Sequence, residues 1–125
     1  MTIERKNYPE LGDVAGPYVH AVRYEKMLYV SGLTAYGSSA QTGSIAEQAE
    51  AILNQLQIVA SQENSSLQRL IKVTVFTTSL DDLATLRQVL FQYYQQHLPA
   101  SSMVQVAALF HPDLNIEIEA IIAVD

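Results

Sequence analysis

The chain has no cysteine, which removes disulfides and thiolate chemistry and fits a cytoplasmic setting. Basic residues are also scarce. Seven Lys and Arg stand against thirteen Asp and Glu, giving a formal net charge of −6 and a pI near 4.9. Such a chain is repelled by phosphate backbones unless a local basic patch overrides the field, and only Arg5 and Lys6 are adjacent. Nucleic acid is therefore not expected as a partner. No apolar run approaches the about 18 residues of a membrane span, so no membrane partner is expected either. No basic segment precedes an apolar stretch near Met1, so no secretory leader is expected. Gly-rich phosphate loops and the Gly-x-Ser-x-Gly elbow are missing. His20, His97 and His111 fall on separate elements without ligand spacing, so no metal site is expected.

What is present suits one domain over residues 1–125. Hydrophobic residues make up 49% of the chain, enough for a sizeable core at this length. The pattern predicts a short strand near Thr2–Arg5, then Val19–Tyr24, a tight turn at Glu25-Lys26, and a hairpin partner over Met27–Ser31. Residues 33–43 read as a loop, within which Gly37–Gly43 lacks apolar anchors and is expected to be mobile. Ser44-x-x-Glu47 is a capping box, and Ala49, Ile52, Leu53, Leu56, Val59 and Ala60 follow at helical spacing. That helix should end near residues 62–64. Ile71–Thr77 is rich in β-branched residues and reads as a strand. A second helix follows, capped by Ser79 or Asp81, with Leu83, Leu86, Leu90 and Tyr93 as its buried stripe. Pro99 prevents its continuation.

Two more strands complete the chain. In the first, Val104, Val106 and Ala108 alternate with Met103, Gln105 and Ala107. In the second, Ile116, Ile118 and Ala120 alternate with Asn115, Glu117 and Glu119. Alternation of this kind gives each strand one buried apolar face. Two helices cover only one face of such a sheet. The other face is left with Phe76, Met103, Ala107, Ile121 and Ala123, and a second subunit is expected to cover it. Glu119 stands on that face among apolar neighbours, which marks it for chemistry.

Gly16-Pro17-Tyr18, Ser31-Gly32, Lys72–Phe76, Asp81–Ala84, Pro99-Ala100 and Ile116–Ile121 occur in an order and spacing that resembles the Rid family. This family is also called YjgF/RidA, the reactive-intermediate deaminases. The resemblance runs from about Gly16 to Val124. It implies a chorismate-mutase-like α+β fold, a mixed sheet with two helices on one face, assembled as a homotrimer with clefts between subunits. It also implies hydrolysis of 2-imino acids to 2-keto acids and ammonia without a cofactor. In such a site an arginine after the Pro-Ala pair clamps the substrate carboxylate, and the second glutamate of Ile-Glu-Ile-Glu activates a water.

Carried over, the resemblance gives Glu119 as the catalytic carboxylate and Tyr18, Ser31 and Gly32 as cleft residues. Ser101 takes the place of the arginine, and Met103 the place of a frequent cysteine. Arg87 stands where deaminases often have asparagine. A serine hydroxyl cannot replace a bidentate guanidinium, whose charge-assisted hydrogen bonds contribute about 1.5–3 kcal/mol each. Arg87 has no acidic residue three or four positions away, so it is free to supply the anion clamp that Ser101 cannot. Two functions follow as expectations. One is a divergent hydrolase of a reactive imine or enamine. The other is a non-catalytic trimer that binds or senses a small carboxylate metabolite.

Overall fold

The computed structural model describes residues 2–125. The chain forms β1 (Ile3–Lys6), β2 (Ala21–Tyr24), β3 (Met27–Leu33), α1 (Ile45–Gln62), β4 (Leu70–Thr77), α2 (Leu83–Tyr94), β5 (Ala100–Gln105) and β6 (Ile116–Ala123). Single 3-10 turns occur at Pro9–Leu11 and Leu67–Arg69. The strands make one six-stranded mixed sheet in the order β1-β2-β3-β6-β4-β5. All neighbours are antiparallel except β4 and β5, which run parallel because α2 carries the chain across between them. This is the α+β architecture expected from the sequence, with both helices on one sheet face.

The capping box forms as read. Ser44 Oγ accepts from the Glu47 amide at 3.2 Å, and Glu47 Oε1 accepts from the Ser44 amide at 3.0 Å. Ala49, Ile52, Leu53, Leu56, Val59 and Ala60 are all buried against the sheet. They meet Leu28, Val30, Val73, Val75, Ile116, Ile118 and Ile122, one row from each of three strands. The start of α2 differs from the reading. Asp82 is its N-cap position and makes no side-chain cap, while Ser79 Oγ instead accepts from the Asp81 amide in the preceding turn. The stripe of α2 also ends differently. Tyr94 is buried, whereas Tyr93 lies at the margin and donates its hydroxyl to Asn54 Oδ1 of α1.

The first of the last two strands turns the other way from the sequence reading. Parallel pairing sets Ser101, Met103 and Gln105 of β5 beside Val73, Val75 and Thr77 of β4. Those three face the helices, and Met103 packs against the core. Val104 therefore lies exposed on the open face, and the strand ends before Val106 and Ala108. On an edge strand the apolar row has no obligation to point inward, because only one side is paired. The open face carries Phe76, Val104, Ile121, Ala123, Tyr24 and Tyr29 together with Lys72, Thr74, Ser102, Glu117 and Glu119.

The loop after β3 is held by a buried alanine ahead of Gly37–Gly43 and by polar contacts within that stretch. Ala35 is fully buried, and the fully buried Gln48 donates to the carbonyls of Gln41 at 2.9 Å and Asp113 at 2.8 Å. Gln48 Oε1 accepts from the Asn115 amide at 2.8 Å. One amide side chain thus ties the loop before α1 to the loop before β6.

Candidate functional site

Ser31 and Gly32 form a bulge in β3. Val30 pairs with Ala120 and Leu33 with Ile118, so two residues of β3 oppose the single residue Glu119 of β6. A bulge re-aims side chains and leaves part of the ladder open, a device common beside functional sites. Here the absence of a side chain at Gly32 has a direct use. A Cβ placed there would collide with Glu117 Oε1 and stand 2.8 Å from the Glu117 carboxyl carbon. The Glu117 carboxylate therefore lies across Gly32 on the open face. Burial, with Glu119 as a second and smaller cause, raises its pKa above the ordinary carboxylate value. Glu119 itself is exposed. Neither carboxylate has an ion pair among the described residues.

Tyr18, Ser31 and Gly32 come together, as the sequence proposed. They line a cavity of about 70 Å³ with His20, Tyr36, Gln55 and Phe110. The Tyr18 ring packs on Gly16, and its hydroxyl accepts from the Ala15 amide at 3.4 Å, so it also closes its own turn. Ser31 Oγ donates to the Val19 carbonyl at 2.6 Å. His20 was read only as an alternating strand residue. Its Nδ1 accepts from the Tyr8 amide at 2.9 Å, which fixes the neutral tautomer with the proton on Nε2. Burial lowers its pKa and keeps it in that form. Tyr36 and Phe110 meet edge to face at 5.2 Å beside the cavity.

Arg87, Ser101 and Met103 also come together, but elsewhere. They line a groove of about 560 Å³ between α2 and β5, with Leu90, Phe91, Tyr94, Leu98 and Pro99. The register of β5 sends Ser101 and Met103 to the helix-covered face, whereas Glu117 and Glu119 occupy the opposite one. Within the chain the sheet separates the carboxylates from Arg87. No group of three or more His, Asp or Glu is placed to hold a metal ion among the described residues. No helix among them is long and apolar enough to cross a membrane.

Residues 10–124 match the family model described as Endoribonuclease L-PSP. The chain belongs to that family, the YjgF/Rid family. It is 34% identical over 111 residues to Protein HMF1 of Saccharomyces cerevisiae, covering 87% of this chain and 85% of the relative. It is 32% identical over 109 residues to the human 2-iminobutanoate/2-iminopropanoate deaminase, covering 85% of this chain and 79% of the relative. The crystal structure of yeast Mmf1 superposes with a TM-score of 0.90 at 28% identity, over 99% of this chain and all of that one. In this Rid-family chain the residues singled out from sequence fall in three places: Tyr18, Ser31 and Gly32 in a cavity that Gln55 of α1 also lines, Glu119 on the open sheet face, and Arg87, Ser101 and Met103 in the groove between α2 and β5. Glu117 was passed over because the motif drew attention to Glu119. The signal that could have found it is the glycine in the neighbouring strand, which leaves room for one side chain to lie across it.

Proposed function

We propose that this protein is a Rid-type hydrolase of a small reactive imine or enamine, working in the cytoplasm as a homotrimer. In this reading the open sheet face is covered by neighbouring copies, and the carboxylate cluster of one protomer meets the groove of another. The observation that carries the reading is the Glu117 carboxylate, half-buried over Gly32 with a raised pKa. A carboxyl poised in this way can take a proton from water and return it, because its affinity for the proton is closer to the working pH.

The reaction balances without a cofactor. Water attacks the imine carbon of a 2-imino acid, and Glu117 accepts one of the water's protons. Glu117 returns that proton to the nitrogen, giving a neutral carbinolamine; it then takes the hydroxyl proton and delivers it to the amine as the C–N bond breaks, so that ammonia leaves and the C–O bond becomes the carbonyl of the 2-keto acid. Glu119, the candidate from sequence, is the neighbour whose charge helps to raise the pKa of Glu117. Tyr18, Ser31 and Gly32 shape the cavity beside it. The acidic net charge and scattered basic residues argue against RNA as substrate, despite the family description.

The test is release of 2-keto acid from an imine generated in situ by a dehydratase, followed with Glu117→Gln and Glu119→Gln. Glu117→Gln is expected to lose at least about a hundredfold in turnover, the usual scale for a general base, while Glu119→Gln keeps most of it. Equal turnover in Glu117→Gln would remove Glu117 from the chemistry. A second reading has its own observation. Ser101 offers no charge at the clamp position, which suits a non-catalytic binder of a small carboxylate. Ligand binding without any turnover in the wild type would select it.

A further inference from the structure

Residues 12–18 run along the Tyr18–Ser31 cavity with few ties of their own. Their hydrogen bonds stay within residues 9–18 among the described residues. The Gly12 amide donates to the Pro9 carbonyl at 3.0 Å, the Tyr18 amide to the Gly16 carbonyl at 2.9 Å, and the Ala15 amide to the Tyr18 hydroxyl at 3.4 Å. Yet Asp13, Val14, Ala15 and Tyr18, with Leu11 just before them, make one wall of the cavity. At about 70 Å³ that cavity is far below the roughly 300 Å³ or more of an ordinary ligand pocket. A ligand therefore enters only if a wall moves, and this wall is the least tied. Its near end is held at His20. The His20 amide donates to Asn7 Oδ1 at 3.0 Å, and Nδ1 accepts from the Tyr8 amide at 2.9 Å with the two rings stacked. His20 is fixed in turn to β3, because its carbonyl accepts from the Ser31 amide at 2.9 Å. The Tyr8 hydroxyl donates to Glu63 Oε2 at 2.9 Å, and Glu63 Oε1 accepts from Lys6 Nζ at 2.8 Å. That pins the Tyr8 ring to the end of α1.

We propose that residues 12–18 are a strap that opens and closes the cavity, and that His20 is its proton-operated latch, a positioning residue for Tyr18. A neutral imidazole has one lone pair to offer, and the Tyr8 amide uses it at Nδ1. A protonated imidazole carries hydrogen on both nitrogens, so Nδ1 would meet the Tyr8 amide donor to donor. The Tyr8 ring stays pinned by Glu63, so the displacement passes through Pro9–Leu11 into the strap. Gly12, at φ +77°, is the position where the chain can turn. Around the imidazole stand Tyr8 and Lys6 from the N-terminal segment, Glu63 just past α1, Asp13 and Tyr18 of the strap, and Tyr36 of the loop after β3. Lys6 and Glu63 pair with each other, and no carboxylate bonds the imidazole among the described residues. Burial is then the cause that holds the latched imidazole below 6.5. Once released into water it titrates nearer 6.5. Acid therefore favours the open strap, by up to about tenfold per pH unit between 6.5 and the latched value. The proposal rests on the Rid-type reading only in taking this cavity as the place where substrate is held.

The experiment is amide hydrogen exchange of the full-length protein without substrate, corrected for intrinsic rates, between pH 7.5 and pH 5. Tyr8 is compared with the amides of β6, a strand paired on both edges. The Tyr8 amide should exchange faster than those of β6 and at a rate that about 1 M urea leaves unchanged, the mark of a local opening. Its protection should fall by about threefold to tenfold from pH 6.5 to pH 5.5. His20→Asn sets an amide oxygen where Nδ1 stands, and should keep the protection without the pH dependence. His20→Phe keeps a ring beside Tyr8 but offers no acceptor, and should lose the protection at every pH. If His20→Phe does not fold, the wild type and His20→Asn decide alone. In the imine assay the wild-type KM should rise relative to that of His20→Asn as pH falls through the same range, with the ratio of kcat values constant. Exchange of Tyr8 in step with β6, protection independent of pH, the same pH dependence in His20→Asn, or a constant KM ratio overturns the proposal. Exchange as expected with no imine turnover in either protein would refute the hydrolase reading alone. Turnover with pH-independent exchange at Tyr8 would refute the latch alone.

Discussion

Glu117 and Gly32 occupy one space: the carboxyl of the first rests where the second would carry a side chain. Neither position is informative by itself. Together they fix where a carboxylate sits on an otherwise open sheet face.

Gly32→Ala is the direct test of that packing. The new methyl must displace Glu117, because 2.8 Å to its carboxyl carbon is too close for any Cβ contact. The carboxylate is a flexible side chain and can swing outward, so the cost should stay at about 1–2 kcal/mol. The carboxyl of Glu117, once moved into solvent, should titrate nearer the ordinary value of 4.5. Urea denaturation reads the first effect and carbon NMR titration of the side chain the second. An unchanged Glu117 titration in the alanine variant would mean that Gly32 does not hold the carboxylate in its half-buried place.

The same carboxyl makes a pH prediction with a definite sign. Its folded pKa lies above 4.5, so between 4.5 and the folded value the folded state holds more protons than the unfolded. Stability is therefore lost as pH rises through the folded value, and the penalty persists at neutral pH. Glu117→Gln removes it. The variant should be more stable than the wild type at pH 7, by on the order of 0.5 kcal/mol after solvent screening, with no advantage below pH 4.5. Urea midpoints at pH 4 and pH 7 measure the difference. A Glu117→Gln protein less stable at pH 7 would contradict the burial and like-charge argument.

Much of this architecture is legible in the letters. Ser44 and Glu47 announce α1 because a capping box uses only local geometry. Ile116, Ile118 and Ala120 announce a central strand because both its edges are paired and its inner row must be apolar. Tyr18, Ser31 and Gly32, named from separate stretches by resemblance, line one cavity. The failures have a common cause. Val104 was assigned inward and Met103 outward, since an edge strand has no second partner to enforce the phase of its alternation. The anchoring of residues 33–43 depends on Gln48, a polar residue on the buried face of a helix, which periodicity treats as noise. Glu117 depends on a glycine in another strand, a cross-strand relationship that no single stretch contains.

The open face supports a prediction about assembly. Tyr29 is 45% exposed and pairs with Ile121 on that face, next to Met27 and Ala123. If copies of the chain meet there, Tyr29→Glu buries a charge against apolar neighbours and costs several kcal/mol per interface. Sedimentation at micromolar concentration should show trimers for the wild type and monomers for Tyr29→Glu, with the α1 core intact by circular dichroism. A trimer that survives the substitution would move the interface off this face.

His20 predicts acid sensitivity. Its Nδ1 accepts the Tyr8 amide, and burial lowers its pKa from 6.5. Below pH 6.5 the unfolded chain takes up a proton at this imidazole while the folded chain does not, so unfolding is favoured as pH falls. The loss cannot exceed about 1.4 kcal/mol per pH unit for one group, and it ends once the folded imidazole titrates. His20→Asn offers an oxygen to the Tyr8 amide without titrating. Its urea midpoint should change less between pH 7.5 and pH 5.5 than that of the wild type. Parallel curves for the two proteins would show that His20 does not carry the proton linkage.

Gln48 joins the two loops that flank the Tyr18–Ser31 cavity, and its replacement separates packing from hydrogen bonding. Gln48→Leu keeps most of the volume but strands the carbonyls of Gln41 and Asp113 and the Asn115 amide. Buried groups left without partners cost about 1–3 kcal/mol each, and some will find water, so a total loss near 3 kcal/mol is expected. Gln48→Glu tests the direction of the bonds. A glutamate oxygen can still accept from Asn115, but a carboxylate would face two carbonyl oxygens instead of donating to them. It should destabilise more than leucine at pH 7 and recover as the pH falls and the carboxyl gains a proton. Hydrogen exchange at the Asn115 amide separates the variants further: fast exchange in Gln48→Leu, slower in Gln48→Glu at low pH. Equal exchange in both would mean that the loops are held by something other than this side chain.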